Sequence, residues 1–148
     1  MISVTKIFNF EMAHALHNCA GLCANIHGHS YILNVTVKSA KEGEDELISS
    51  GFIIDFKELK EIVNSKVIFR INHMLVLSRE YVNSLEPHTS FNNLFQFGVG
   101  PTAENLLLFS SKELIASLPA EVSMHSFKLF ETGNSYAEWV NDNLGSSF

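Results

Sequence analysis

Apolar and polar positions alternate along the first forty residues, in two phases. Ile2, Val4, Phe8, Phe10 and Met12 hold even positions, broken only by Lys6, and His14 closes the run. From His27 the phase is odd: His27, His29, Tyr31, Leu33, Val35 and Val37 alternate with mostly small or polar residues. A period of two is that of a half-buried β-strand. Two strands are therefore expected, joined by a loop from His17 to Ile26 that carries Cys19, Gly21 and Cys23. Gly51 to Ile54 reads as a short strand entering a helix, with Asp55 as N-cap and Glu58 as its capping-box partner. Phe56, Leu59, Ile62, Val63 and Val67 then repeat at helical spacing. A second helix opens at Pro101 with Thr102 as N-cap, carries Leu106, Leu107, Phe109, Leu114, Ile115 and Leu118, and stops before Pro119. His125, Phe127, Leu129 and Glu131 alternate as a third long strand, and Tyr136 to Val140 close the chain as another. The order strand, strand, helix, helix, strand, strand predicts an α+β fold, an antiparallel four-stranded sheet with two helices on one face. The sheet's other face also carries apolar residues, which predicts contact with another subunit. Two segments show no clear period. Ile71 to Leu75 reads as a surface turn. Residues 80–100, with Phe91, Leu94, Phe95 and Phe97, read as a lid or subunit contact, or as a hairpin over the core.

Composition narrows the class. With 148 residues, 46% of them apolar, a single domain over 1–148 with its own core is expected, not a disordered chain. The formal net charge is −6 and the ten Lys and Arg residues are scattered singly, so no nucleic-acid partner is expected. No signal-peptide pattern and no long uncharged apolar run occurs, so neither export nor a membrane span is expected. Cys19 and Cys23 are too close in sequence to staple a domain of this size, which fits a reduced, cytoplasmic setting. Residues 39–50, with their acidic centre, read as a solvated loop.

The histidines change the picture most. On a strand, His27 and His29 project the same way about 6.6 Å apart. Such a pair alone is a weak signal, and a single His14 on an apolar face fits a core histidine with a satisfied hydrogen bond. If the two strands pair, however, three imidazoles converge. Three histidines without an obvious fourth ligand are the set of a catalytic zinc site, with one position open for water or substrate. Glu131, at a strand end on the inward face, is costly there unless it has a partner or ligand.

The motifs, taken in order, resemble those of the 6-pyruvoyl tetrahydropterin synthase family, whose bacterial branch includes 6-carboxy-5,6,7,8-tetrahydropterin synthase of queuosine biosynthesis. Phe10-Glu11-Met12-Ala13-His14, Cys23-x-x-x-His27-Gly28-His29, Gly51 to Lys60, Pro101-Thr102-Ala103-Glu104-Asn105 and Phe130-Glu131-Thr132 carry the resemblance across nearly the whole chain. It implies a tunnelling fold in which trimers join their sheets into a barrel. Two such rings stack as a homohexamer, a dimer of trimers, with active sites between subunits. It implies Zn2+ on His14, His27 and His29, Cys23 as general acid/base, His73 in its proton relay, and Glu131 anchoring the pterin ring with Thr102 nearby. The implied substrate is a pterin triphosphate, 7,8-dihydroneopterin triphosphate. A zinc-dependent lyase would convert it to 6-carboxy-5,6,7,8-tetrahydropterin, acetaldehyde and triphosphate; the alternative is the pyruvoyl-forming reaction, which only eliminates triphosphate. On ligand chemistry, Cys23 could instead be a fourth zinc ligand in a closed structural site. Two departures stand out: Asn72 occupies the family's aspartate position before the relay histidine, and the segment from about Glu80 to Gly100 is longer than usual. Either another carboxylate compensates for Asn72, or the chain is a pterin-binding protein with impaired catalysis.

Overall fold

A computed structural model describes residues 2–41, 48 and 50–142. The acidic stretch from Glu42 to Glu46, expected as a solvated loop, lies outside them. Strand β1 spans Ser3–His14 and β2 spans His27–Ser39, and they pair antiparallel from Ser3 opposite Lys38 to His14 opposite His27. Both expected phases hold. The even residues of β1 and the odd residues of β2 face one core, where Phe10, Met12, Tyr31, Leu33, Val35 and Val37 are all buried. Helix α1 (Phe56–Val63) runs through a π-helical stretch, Asn64–Ile68, into α2 (Phe69–Ile71). It starts where Asp55 accepts the Lys57 N–H at 2.7 Å. Leu59, Val63, Val67 and Ile71 cover the sheet, each fully buried side chain contributing about 1.5–3 kcal/mol. Gly51 to Ile54 is not a strand; it is an unpaired bend with Gly51 at φ +83°, and it enters the core through buried Ile54, with Ile53 packed against it.

The sheet has six strands rather than four, in the order β4-β3-β1-β2-β5-β6. The two extra strands come from the segments without a period. β3 (Met74–Ser78) pairs parallel to β1, and β4 (Leu94–Phe97) pairs parallel to β3, with α3 (Arg79–Ser84) between them. Leu75, Val76, Leu77 and Ser78 are all buried, so β3 lies under cover on both faces and cannot alternate. The 80–100 segment is therefore a parallel crossover and not a hairpin. Helix α4 (Ala103–Ile115) packs against the π-helical stretch Asn64–Ile68, capped by Thr102, whose hydroxyl accepts the Asn105 N–H at 3.3 Å. β5 (Val122–Thr132) and β6 (Ser135–Val140) complete the antiparallel half. A register shift in β5 leaves His125 opposite no β2 residue, since Met124 pairs with Val37 and Ser126 with Thr36. The bulge turns His125 out of the inward series, which instead runs Met124, Phe127, Leu129. Along β1 the outward face is mostly polar, with Thr5, Asn9 and Glu11; Ile7 is its exposed apolar residue.

Candidate active site

His14 and His27 end their strands opposite one another, and His29 stands across from Met12 one step inward. The register therefore delivers three imidazoles to one end of the sheet. Their nitrogens lie within 4.8 Å of one another, and the set can hold a metal ion. Hydrogen bonds decide which nitrogen each ring offers. His14 Nδ1 is 2.8 Å from the Pro101 carbonyl, and His27 Nδ1 is 2.7 Å from the Asn25 carbonyl. A carbonyl only accepts, so each Nδ1 carries the proton and each Nε2 keeps its lone pair. Those two Nε2 atoms face each other at 3.1 Å. Two lone pairs at that distance repel unless a cation sits between them. Neighbouring ligands of a tetrahedral zinc with Zn–N of about 2.0–2.1 Å lie about 3.3 Å apart. His29 Nε2 is buried without a hydrogen-bond partner. The donor set fits a metal on three counts: tautomer, spacing and an orphaned nitrogen. Burial of His14 pushes its pKa down, with the Pro101 carbonyl opposing, and so favours the neutral, ligating ring.

Around the histidines the structure adds groups the sequence reading missed. Tyr31 is wholly buried, its ring edge-on to His14 and His29, and its hydroxyl lies 3.5 Å from His14 Nδ1. Burial first, and then the Glu131 charge, raise the Tyr31 pKa, so it stays a donor. Glu131 lies 3.7 Å from His29 Nε2. The neighbour that its position gives it is thus His29, which the odd series of β2 already contained. Thr102 serves the site through its neighbour: its own hydroxyl caps α4, while the carbonyl of Pro101 holds His14.

Cys23 lies half-buried in a short 3-10 turn, Leu22–Ala24, of the loop between β1 and β2. The loop is folded on itself, the Leu16 N–H donating to the Cys23 carbonyl at 2.9 Å. Cys19 and Cys23 are joined as a disulfide, their Cα atoms 5.9 Å apart, so the pair does meet, short as its span is.

His73 stands elsewhere. It adopts φ +62°, its N–H donates to the Glu11 carbonyl at 2.6 Å, and its carbonyl accepts from Asn93 Nδ2 at 2.8 Å. It lines a cavity of ≈ 330 Å³ with Glu11, Gly28, Ser30 and Asn93, which His29 also borders. Among the described residues, no hydrogen bond or ion pair joins His73 to Cys23 or to the three histidines. The Asn72 side-chain oxygen is already engaged, accepting the Glu11 N–H at 3.0 Å. The carboxylate in that cavity belongs to Glu11, held at 2.7 Å by the Ser30 hydroxyl.

A protein named 6-carboxy-5,6,7,8-tetrahydropterin synthase from Rickettsia bellii is 30% identical over 143 residues, covering 93% of this chain and 99% of that protein. One of the same name from Haemophilus influenzae is 31% identical over 147 residues, covering 94% and 99%. The crystal structure of 6-pyruvoyl tetrahydropterin synthase from Plasmodium vivax superposes with a TM-score of 0.66 at 17% identity, over 94% of this chain and 98% of that one. That likeness shows the α+β tunnelling fold expected from the sequence, with a sheet of six strands in place of the expected four. The family model described as 6-pyruvoyl tetrahydropterin synthase matches residues 3–142. The chain belongs to the 6-pyruvoyl tetrahydropterin synthase family.

Proposed function

We propose that this enzyme is a zinc-dependent lyase that converts 7,8-dihydroneopterin triphosphate to 6-carboxy-5,6,7,8-tetrahydropterin, acetaldehyde and triphosphate. The observation that carries the reading is the pair of Nε2 lone pairs facing each other at 3.1 Å, beside a third, orphaned imidazole nitrogen. Full-length similarity to two proteins named for that product supports it. His14, His27 and His29 would hold the zinc, which would supply a Lewis acid that lowers the pKa of the substrate's side-chain hydroxyls and favours negative charge on oxygen.

The chain's own residues do the rest. Glu131, beside His29, offers a carboxylate that accepts the adjacent amino and ring N–H groups of a pterin edge as a two-pronged pair. The Cys23 thiol moves the carbon-bound proton; reduction of its bond to Cys19 releases it for that task. His73 relays protons, with Glu11 as the carboxylate beside it in place of the family's aspartate. Among the described residues no hydrogen bond joins His73 to Cys23 within one chain, and the relay would form where one subunit's His73 cavity meets the next subunit's cysteine loop. A trimeric barrel, doubled into a hexamer, provides that meeting. Asn72 supports the backbone at Glu11 and needs no charge for it. Thr102 positions the Pro101 carbonyl by capping α4.

The test is incubation of the zinc-loaded, reduced protein with 7,8-dihydroneopterin triphosphate, reading products by mass spectrometry. Carboxy-tetrahydropterin with acetaldehyde is expected. A pyruvoyl product moves the chain to the elimination reaction, and bound but unchanged pterin makes it a binding protein.

A further inference from the structure

The crossover β3–α3–β4 reaches the cysteine loop at one polar point. Tyr81 of α3 donates its hydroxyl to the Ala24 carbonyl at 3.0 Å, across 57 positions of sequence. Ala24 follows Cys23 directly and belongs to the same 3-10 turn. The Tyr81 ring lies edge-on to His17, 6.3 Å between centroids, at the other end of that loop. The ring is itself fixed: it packs on a small separate core of Ala15, Leu75 and Leu77, and the Ser78 hydroxyl accepts the Tyr81 N–H at 3.1 Å. A second tie follows at once, where the Asn25 carbonyl accepts from His27 Nδ1 at 2.7 Å. The loop's remaining backbone bonds, Leu16 to Cys23, Cys19 to Leu16 and the turn bonds of Ala24 and Asn25, are internal to it.

From this we infer that Tyr81 is a positioning residue for Cys23, and that the crossover β3–α3–β4 fixes the cysteine's approach to the substrate. The inference rests on the reading of Cys23 as the proton-transfer group. A hydroxyl-to-carbonyl bond within the 3-10 turn holds the peptide that carries the thiol, so its loss widens the range of positions the thiol samples. The ring's packing is unaffected if only the oxygen is removed.

The experiment uses the reduced, zinc-loaded full chain. In a Cys19→Ser background Cys23 is the remaining thiol, and its alkylation rate with iodoacetamide is measured with and without Tyr81→Phe. The lost hydrogen bond should speed alkylation by about two- to tenfold. It should also lower kcat by a similar factor while leaving KM and zinc content unchanged. Unchanged alkylation overturns the inference. Faster alkylation with unchanged kcat upholds the clamp and removes Cys23 from the reaction, so the two failures are distinguishable. Restoring turnover by returning Tyr at position 81, but not by Trp, marks the hydroxyl rather than the ring as the operative part.

Discussion

The two sides of β1 differ in kind. Toward β2, the strand is paired over its whole length by a partner adjacent in sequence, and the register alone brings His14 to His27. Toward β3, it is paired over three residues only, Met12 to His14, by a parallel strand sixty positions away. The first side carries the three histidines that could hold a metal ion, and each is held by its strand together with a carbonyl or tyrosine. The second carries His73 and Tyr81, which meet the chemistry through backbone bonds and one hydroxyl. The difference teaches that this site is made of a rigid half and a docked half. Substitutions should separate them.

The largest effect belongs to the rigid half. If His29 is a ligand, His29→Ala removes it outright, whereas loss of a supporting partner alone typically costs about 10–100-fold in metal affinity. Zinc retention, measured by elemental analysis after dialysis against a chelator, should fall by more than that range, and turnover with it. Full zinc occupancy in His29→Ala would break the assignment of the rigid half. Cys23→Ala is next. Turnover should fall by about 10²–10⁴, as for loss of an acid/base group, with zinc content unchanged. Loss of zinc in this variant would place Cys23 with the ligands, in a closed site. Wild-type protein treated with a thiol-specific oxidant should lose turnover in the same way and regain it with a reductant.

The same contrast explains what the sequence reading reached. Alternation through Phe8, Phe10, Met12 and again through Tyr31, Leu33, Val35 exposes the paired half because one face is buried and the other is wet. The histidines ride on that phase, so their convergence follows from it. β3 and β4 could not be read this way: Leu75, Val76 and Leu77 are buried in succession, and a run covered on both faces has no period. His125 shows a third limit, since a single bulge residue shifts the parity of everything before it and leaves no local signature. The carbonyls of Pro101 and Asn25 were illegible for another reason. Every residue has one, and only geometry says which is aimed at an imidazole.

The docked half should yield first in stability. Leu77 is wholly buried in the small core under Tyr81, and Leu77→Ala should cost about 2–5 kcal/mol in denaturant unfolding. Zinc should remain bound, because none of the three ligands packs on that core. Zinc loss in parallel with the destabilisation would show that the two halves are one unit and dissolve the contrast.

The smallest effect tests how the docked half replaces a missing charge. The Asn72 oxygen accepts the Glu11 N–H at 3.0 Å, a bond that an aspartate oxygen makes equally well, so the backbone at this corner does not depend on which residue is present. If Glu11 is the working carboxylate, Asn72→Asp adds a second charge where one already serves. It should change kcat by less than about tenfold, a difference of roughly 1.4 kcal/mol in the barrier. Glu11→Gln should lower kcat further than Asn72→Asp shifts it, because the amide keeps the shape that Ser30 holds and loses only the charge. In the Glu11→Gln background, Asn72→Asp should then recover part of the loss, since it returns a carboxylate next to His73 in sequence. A gain of orders of magnitude from Asn72→Asp alone would show that nothing compensates in the natural chain, and that its relay runs on an uncharged partner.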